Sequence, residues 1–260
     1  MIARAMRSIQ RRIGFYPQLR YRMREAMEGF SGRRYLGHEN QAFGQLTYAQ
    51  HGEDLIILNI FDALGIEHPS WVDVGAHHPL NLSNTALLYA RGCRGINIDA
   101  NPVLLPAFET LRPEDVNLNV GIAPGAGVMK FYRIDDRSGR NTFDRETAEA
   151  FVRAYPQFRI NDVIDVPTRT LDSVVDQYAG GRYPELLSVD AEGLDYDIVA
   201  GADFAGRGRP AVVCIEHVTG EGADGSARIT GLLKDRGFAP LFRTVGNMLY
   251  VDANLAAQLT

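Results

Sequence analysis

The stretch WVDVGAHHPLNLSNTALLYARGCRGINIDANP, residues 71–102, decides the fold of this chain. Residues 71–74 are a short apolar run with one acid, and residues 80–90 carry apolar side chains at helical spacing until a glycine ends the pattern. Residues 95–99 form a second apolar run that ends in Asp99. The pattern predicts a strand–helix–strand unit of a parallel sheet. Asp99 then lies at the carboxyl edge, where open α/β sheets bind their ligands.

The turn after the first strand indicates which kind of ligand the sheet binds. A pyrophosphate cofactor requires the pattern G-x-G-x-x-G, but residues 75–79 read Gly-Ala-His-His-Pro and hold one of the three glycines. This turn therefore argues against NAD and FAD. S-adenosylmethionine has no phosphate; its ribose hydroxyls suit Asp99, and its ammonium group suits Asp73. The plainer alternative is that Asp73 and Asp99 cap turns of an ordinary α/β domain.

Six short motifs follow one another along residues 45–252. They are YAQHGED at 48–54, VDVGAHHP at 72–79, SNT at 83–85, GINIDANP at 95–102, LSVDAEG at 187–193 and VCIEH at 213–217. In this order they resemble the FkbM family of S-adenosylmethionine-dependent O-methyltransferases. His77 departs from the family, which commonly has asparagine at this position.

The resemblance implies an α/β fold of the Rossmann-like class I methyltransferase type. Such a fold has a mostly parallel sheet with helices on both faces and a C-terminal antiparallel strand pair, which residues 238–243 and 248–252 suit. The cofactor is then S-adenosylmethionine. In the family the segment that contains Gln50 and Glu53 borders the cofactor, so either residue could bind it; helix capping explains them about as well. A simple hairpin explains the glycines of 121–127 as well as contacts with adenine do. The residues predicted to bind the cofactor are Gln50, Asp73, Gly75, Ala76, Ser83, Asn84, Asp99, Ala100, Gly121 and Ile122.

Length and composition bound the kind of protein this is. With 260 residues and a net charge of −5, the chain suits one large α/β domain over residues 46–260 and gives no reason to expect nucleic acid as a partner. No apolar run approaches the length of a membrane helix, about 20 residues. The cysteines at 93 and 214 have no metal-type spacing, which favours reduced thiols in a cytoplasmic protein.

Residues 1–45 form a basic N-terminal extension of different composition. Its arginines face few acids, and apolar residues recur at a spacing that one helix face can use. We expect this arm either to lie peripherally on the inner, anionic face of a membrane or to dock on a partner or a second subunit of a homo-oligomer. The alternative is a solvated extension that packs loosely on the main domain.

Residues 134–168 look like a substrate loop inserted into the methyltransferase domain. They are polar, charged and poorly periodic apart from a short helix near 146–155, and long segments of this kind are usually lids or binding loops. Arginine and amide groups suit a hydroxyl-rich or phosphorylated substrate. The side chains predicted to bind it are Arg137, Arg140, Asn141 and Thr142. The alternative is a solvated surface loop.

Four ionisable side chains follow two strands that we expect to be neighbours. They are Asp190 and Glu192 after one strand and Glu216 and His217 after the other. In one mechanism Asp190 and Glu216 hold Mg²⁺ or Mn²⁺ at the acceptor hydroxyl, and His217 or Glu192 takes the proton. In a second mechanism no metal takes part, and His217 or Asp190 is the base. In a third interpretation Asp190 only caps the helix that follows.

The predicted function is methyl transfer from S-adenosylmethionine to a hydroxyl of a sugar-containing acceptor. The family resemblance suggests a glycan, a nucleotide sugar or the sugar of a natural product, in a role such as polysaccharide biosynthesis. Two other classes of function stay open. An NAD-dependent sugar-nucleotide oxidoreductase or epimerase would require the missing phosphate-binding glycines. A non-catalytic cofactor-binding scaffold would use its basic arm to join a membrane-associated glycan-assembly complex.

Overall fold

The computed structural model describes residues 46–135, 139–217 and 223–259. The basic extension over residues 1–45 and the predicted substrate residue Arg137 lie outside the described residues, so the predictions for them stay predictions. Within the described ranges, none of the helices has the length and apolar character needed to cross a membrane.

The described helices and strands begin at residue 53. The strands are β1 (Trp71–Val74), β2 (Ile96–Ile98), β3 (Val116–Leu118), β4 (Gly121–Ile122), β5 (Gly127–Arg133), β6 (Asp162–Arg169), β7 (Leu186–Val189), β8 (Val212–Glu216), β9 (Phe238–Arg243) and β10 (Asn247–Asp252). The helices are α1 (Glu53–Leu64), α2 (Ala86–Ala90), α3 (Leu105–Leu111), α4 (Arg145–Ala154), α5 (Leu171–Tyr178), α6 (Asp195–Gly201), α7 (Phe204–Arg207) and α8 (Ala223–Asp235), with a 3₁₀ turn at Ala256–Gln258.

The main sheet has seven strands in the order β3-β2-β1-β7-β8-β10-β9. Neighbouring strands from β3 to β8 are parallel, whereas β10 is antiparallel to both β8 and β9. Val74 aligns with Ile98 on one side and with Val189 on the other, so β1, β2 and β7 end at the same edge. The predicted parallel sheet with a C-terminal antiparallel pair is confirmed.

A second, three-stranded sheet has the order β4-β6-β5. Strands β5 and β6 are antiparallel over their whole lengths, from the pair Gly127 and Thr168 to the pair Arg133 and Asp162. The segment predicted as a polar loop over residues 134–168 therefore ends in a regular strand. Its helix, α4, agrees with the short helix predicted there.

Helices cover both faces of the main sheet because side chains alternate along each strand. Val72 and Val74 of β1 face one core, to which α5, α6 and α8 contribute apolar side chains. Trp71 of the same strand faces the opposite core, to which α1 and α2 contribute. The predicted two-sided arrangement is confirmed, and it puts Asp73 on the α1 and α2 side of the sheet.

A buried arginine organises the polar part of that side. Arg112 is 1% exposed, and its guanidinium donates to the Asp115 carboxylate at 2.8 Å and to the Asn97 side-chain carbonyl at 3.0 Å. It also donates to the Thr85 hydroxyl at 3.0 Å, and this hydroxyl donates to the Asp73 carboxylate at 3.0 Å. The network thus joins the first strand, the second strand and the chain that enters α2.

Candidate active site

A cavity of about 380 Å³ opens at the carboxyl ends of the parallel strands. Gly75 follows β1, Asp99 follows β2, Asp190 follows β7, and Glu216 ends β8; all four residues line this cavity. Open parallel sheets bind ligands at this edge because the strand order reverses there and leaves a crevice. The cavity thus combines Asp99, at the end of β2, with Asp190 and Glu216 at the ends of β7 and β8.

The turn after β1 is fixed by its close approach to β7. Gly75 has a φ of +77°, and a Cβ atom on it would lie 1.8 Å from the carbonyl oxygen of Asp190. The amides of Gly75 and Ala76 both donate to the carbonyl oxygen of Ile98, at 2.9 and 3.1 Å. Only glycine satisfies both the backbone conformation and the contact.

Gly75→Ala is expected to destabilise the protein by about 2 kcal/mol more than Gly92→Ala, because overpacking adds to the left-handed strain. Gly92 is a matched control: its φ is +89°, and nothing lies within 4 Å of a Cβ built on it. Urea denaturation of both variants measures the difference. Equal losses of stability would contradict the close contact with Asp190.

Asp99 is held in place by two backbone amides. One carboxylate oxygen accepts from the His77 amide at 2.9 Å, and the other accepts from the Asn101 amide at 2.7 Å. Burial raises the pKa of Asp99 to about 6, although these two hydrogen bonds act to lower it. Each carboxylate oxygen has a second lone pair, so the fixed carboxylate can still accept hydrogen bonds from a ligand.

An aromatic pair lies at the β4 side of the cavity. Phe131 and Phe143 pack with their ring centroids 4.9 Å apart, and both line the cavity beside Gly121 and Ile122. A Cβ atom on Gly121 would lie 2.5 Å from the Phe143 ring. This side of the cavity is therefore apolar and closely packed, which suits a flat ring better than a charged group.

Three acids meet at the opposite side of the cavity. Burial raises the pKa of Glu192 to about 8 and that of Glu216 to about 7, and neighbouring carboxylates add to both shifts. The pKa of Asp190 is raised well above its ordinary value, first by burial and then by the charges of Glu216 and Glu192. A pKa near neutrality is the property that a general base or acid needs at physiological pH.

The chain that enters α6 is held by Asp195, the first residue of this helix. The carboxylate of Asp195 accepts from the amides of Ala191 at 2.9 Å and Gly193 at 3.2 Å. Asp190 makes no such contact within the described chain, and its Oδ1 atom is buried without a hydrogen-bond partner. The structure thus gives Asp190 no capping role, because the N-terminus of α6 has no side-chain cap.

A family model described as "Methyltransferase FkbM domain" matches residues 73–240. The chain belongs to this family.

Two solved structures are similar to the chain at low identity. One is the methyltransferase FkbM from Methylobacillus flagellatus KT, with 14% identity and a TM-score of 0.42; the match covers 71% of this chain and 44% of that protein. The other is a precorrin-6y C5,15-methyltransferase from Geobacter metallireducens GS-15, with 11% identity, a TM-score of 0.39 and coverages of 83% and 98%. The chain thus spans less than half of the Methylobacillus protein. No curated protein matches it.

Most residues predicted to bind the cofactor line the cavity of this FkbM domain. Those in the lining are Gln50, Gly75, Asn84, Asp99, Ala100, Gly121 and Ile122. Ala76 and Ser83 are buried outside it, and Asp73 is 4% exposed and bonded to Thr85. Asp73 alternates with the cavity-lining Val74 along β1, so its side chain points to the other face. The structure assigns Asp73 to the Arg112 network rather than to the cavity.

The residues predicted to bind substrate have different positions. Arg140 lines the cavity, and its guanidinium lies 5.0 Å from the centroid of the Phe151 ring. Asn141 also lines it, but its side-chain oxygen accepts from the Ile134 amide at 2.8 Å and so shapes the loop. Thr142 is buried outside the lining, and its hydroxyl donates to the Glu192 carbonyl at 2.7 Å. Thr142 thus positions Glu192.

His217 is the predicted base that lies outside the cavity lining. Its amide donates to the Gly246 carbonyl at 2.7 Å, and burial followed by the nearby charge of Arg243 lowers the pKa of its ring. The carboxylates of Asp190, Glu192 and Glu216, and not this imidazole, therefore line the cavity.

The predicted metal site is incomplete in the described ranges. Asp190 and Glu216 line the same cavity, but no group of three or more His, Cys, Asp or Glu side chains in those ranges is arranged to hold an ion. Two carboxylates alone leave most of the six oxygen ligands of Mg²⁺ to water and substrate. The described residues do not fit the predicted ion well.

Sequence reasoning missed three cavity-lining residues with unusual environments. Asn247 lines the cavity and donates to the fully buried Glu53 at 3.1 Å, which ties β10 to the start of α1. His77 and Leu82 have left-handed φ angles of 55° and 58°, as does Glu192 with 48°. All three of these strained residues line the cavity, and such strain is often concentrated at functional sites.

Proposed function

We propose that this protein is an S-adenosylmethionine-dependent O-methyltransferase that acts on a hydroxyl of a sugar. The observation that carries the proposal is a single cavity with Asp99 and an apolar ring-sized wall at one side and three acids of raised pKa at the other. Membership of the FkbM methyltransferase family supports the same reaction class.

The cofactor end of the cavity suits a nucleoside without a phosphate. Asp99 offers free lone pairs to the two ribose hydroxyls, and the Phe131 and Phe143 side offers apolar surface to adenine. The first two amides of the turn, those of Gly75 and Ala76, donate to the Ile98 carbonyl. They therefore do not point into the cavity, as the amides of a phosphate-binding loop would. This arrangement disfavours the NAD-dependent alternative.

The acceptor end suits the activation of a hydroxyl group. When bound, the cofactor supplies a methyl group that is already activated by its sulfonium, so the protein has to align the acceptor and remove its proton. We assign the role of the base that removes this proton to Glu216. Its pKa of about 7 lets a large share of it be ionised, and still basic, at neutral pH. Glu192, with a pKa of about 8, is mostly protonated there and suits a hydrogen-bond donor to the acceptor.

The remaining polar groups of the lining support a sugar as the acceptor. Amide side chains at Gln50, Asn84 and Asn247 both donate and accept hydrogen bonds, as sugar hydroxyls do. Arg140 adds a fork of donors at the edge. The proposed mechanism routes no step through a metal ion.

Two titrations test the cofactor assignment. Calorimetry is expected to detect S-adenosylhomocysteine binding and no binding of NADH, and transfer of a labelled methyl group from S-adenosylmethionine to a panel of free and nucleotide-linked sugars then identifies the acceptor. Binding of NADH alone would replace the proposal with the oxidoreductase. Binding of S-adenosylhomocysteine without transfer to any hydroxyl compound would favour the scaffold.

Adenosine binding is expected to weaken about tenfold between pH 7 and pH 5, because the Asp99 carboxylate becomes protonated as the pH falls through its pKa of about 6. The protonated acid loses acceptor capacity for the ribose hydroxyls. Calorimetric titration at the two pH values measures the change. 2′,3′-Dideoxyadenosine, which lacks both hydroxyls, is the control ligand; an equal pH dependence for it would contradict the contact with Asp99.

A further inference from the structure

Two cavity-lining residues are direct neighbours across antiparallel strands. Asn247, the first residue of β10, pairs with Glu216, the last residue of β8, and both line the cavity. The side chains of such a pair lie on the same face of the sheet, with their Cβ atoms about 4.5–5.5 Å apart. An acceptor whose hydroxyl gives its proton to Glu216 therefore also lies beside Asn247.

The fully buried carboxylate of Glu53 holds the amide group of Asn247. One of its oxygens accepts from the Asn247 side-chain nitrogen at 3.1 Å and from the Thr244 hydroxyl at 2.6 Å. Its other oxygen accepts from the His51 amide at 2.8 Å. Burial acts to raise the pKa of Glu53, but the hydrogen bonds that its carboxylate accepts lower it overall. Glu53 is therefore ionised at neutral pH and can only accept hydrogen bonds.

This contact decides which end of the Asn247 amide is offered to a ligand. A side-chain amide has a nitrogen that donates and an oxygen that accepts, and only the nitrogen can bond to an ionised carboxylate. No described residue donates to the side-chain oxygen of Asn247. A ligand that satisfies this oxygen has to bring a hydrogen-bond donor into the cavity.

The hydroxyl that is methylated cannot be that donor. A hydroxyl has one hydrogen, and the reacting hydroxyl gives its hydrogen to the base, Glu216. The donor to Asn247 has to be a second group close to the first. On a sugar ring, the hydroxyl of the adjacent carbon is such a group.

We propose that the side-chain oxygen of Asn247 accepts a hydrogen bond from the hydroxyl next to the one that is methylated, and that Glu53 is the positioning residue that orients Asn247. The proposal rests on the proposed function and narrows the acceptor to a sugar with two adjacent free hydroxyls. Glu53 lies outside the cavity lining, so it acts through Asn247.

The first test removes the Asn247 amide and the adjacent hydroxyl in turn. The probes are the methyl α-glycosides of glucose, galactose, mannose and rhamnose and their monodeoxy analogues, with labelled S-adenosylmethionine as the methyl donor. NMR spectroscopy of the product identifies the methylated hydroxyl. Loss of the adjacent hydroxyl is expected to lower kcat/KM of the wild type about 10- to 100-fold, because the Asn247 oxygen is left unsatisfied. In Asn247→Ala the parent sugar and this deoxy analogue are expected to differ by about threefold or less.

The second test, Glu53→Gln, addresses the positioning role. Glutamine can turn an N–H group toward Asn247, and the Asn247 amide is then expected to rotate so that its nitrogen faces the cavity. The probe is the same glycoside with a methoxy group at the adjacent position, because a methoxy oxygen accepts hydrogen bonds but donates none. The wild type is expected to prefer the parent sugar about 10- to 100-fold, and Glu53→Gln about threefold or less. A merely structural role of Glu53 would lower the rates with both sugars equally and leave their ratio unchanged.

Glu185→Gln is the matched control. The carboxylate of Glu185 also accepts from an amide and a hydroxyl, both of Ser70 and both at 2.7 Å, but Glu185 lies outside the cavity lining. This variant is expected to keep both ratios of the wild type, and a similar fall of the ratios in it would overturn the proposal. Asn247→Ala leaves Glu53 with its other two donors, so it tests the contact even if Glu53→Gln does not fold.

The remaining outcomes separate the assignment from the proposed function. An unchanged deoxy ratio in Asn247→Ala overturns the contact, and an unchanged methoxy ratio in Glu53→Gln overturns the positioning role. If the wild type methylates one of the glycosides and the adjacent deoxy analogue equally well, the proposed function stands and the role of Asn247 fails. If the wild type methylates none of the four glycosides, the proposed function fails, and the assignment of Asn247 fails with it.

Discussion

Arg112→Met is expected to lower the free energy of unfolding by about 3–5 kcal/mol, because it removes one partner of a buried ion pair and leaves the other charge uncompensated. Arg112 is 1% exposed, and the Asp115 carboxylate that it binds is equally inaccessible. The lost positive charge also faces Asp73, whose pKa burial raises and Arg112 lowers. Both acids would have to bind a proton or find new partners.

The loss of stability in Arg112→Met is expected to include more than the ion pair. The guanidinium also holds Asn97 and Thr85, and its carbon lies 5.1 Å from the centroid of the Trp71 ring. Methionine fills much of the volume and keeps the contact with the ring, so the variant isolates the hydrogen bonds and the charge. Alanine would add a cavity to the loss.

Urea denaturation of Arg112→Met and Arg91→Met measures the effect against a matched pair. Arg91 also binds an aspartate, Asp62, but both side chains are more than half exposed. Exposed ion pairs contribute little to stability, so the Arg91 variant is expected to unfold close to the wild type. Similar midpoints for the two variants would show that the buried network does not stabilise the fold.

The strand–helix–strand unit and the terminal strand pair are predictable because their signals are local. The runs of 71–74 and 95–98 are mostly apolar, as expected for buried parallel strands, and each is followed by a turn residue or an acid. The place of Asp99 at the carboxyl edge of the sheet is predictable because this residue comes at the end of such a run. These elements are fixed by residues within one short segment.

Elements that depend on partners distant in sequence cannot be predicted from such local signals. Only half of the residues of strand β6 are exposed and only half are polar, and the segment becomes a strand by pairing with β5, which precedes the intervening helix. Arg112 looks like a surface residue at a helix end, yet it is buried and bonded to Asp115 three residues later and to Thr85 and Asn97 from two other segments. Asn247 reaches the cavity through its bond to Glu53, nearly two hundred residues earlier.

The roles of the acids also depend on side-chain direction. Asp73 and Asp190 both belong to strand ends in the sequence, but the first alternates with a cavity-lining valine and points away. Glu192 lines the cavity because its backbone is left-handed and Thr142 holds its carbonyl. Motif spacing gives the strand and the edge, whereas the face of the sheet depends on the register of single residues.

Glu216→Gln is expected to lower the turnover number for the identified acceptor by about 10²–10⁴-fold, the contribution typical of general acid–base catalysis. Glutamine keeps the shape and the hydrogen-bonding capacity of the side chain but cannot take the proton. S-adenosylhomocysteine binding is expected to stay close to that of the wild type, which separates lost chemistry from a damaged cavity.

The pH profile distinguishes the base from its neighbours. Because burial and Asp195 raise the pKa of Glu216 to about 7, the ionised base is lost as the pH falls through 7, and kcat/KM of the wild type should fall with it. This fall of kcat/KM on the acid side of the pH profile should be absent from the residual activity of Glu216→Gln. Glu192, with its higher pKa, would give a limb near pH 8 instead.

His217→Gln completes the comparison, because the histidine is next to Glu216 in sequence but lies outside the cavity lining. A large loss of turnover in His217→Gln together with a small loss in Glu216→Gln would identify the His217 imidazole as the base. The imidazole would then have to turn into the cavity when the acceptor binds. A large loss in Glu216→Gln alone supports a carboxylate base. Because strand β8 ends at Glu216, a base at this position would be held by the rigid edge of the sheet, whereas His217 belongs to the chain that follows it.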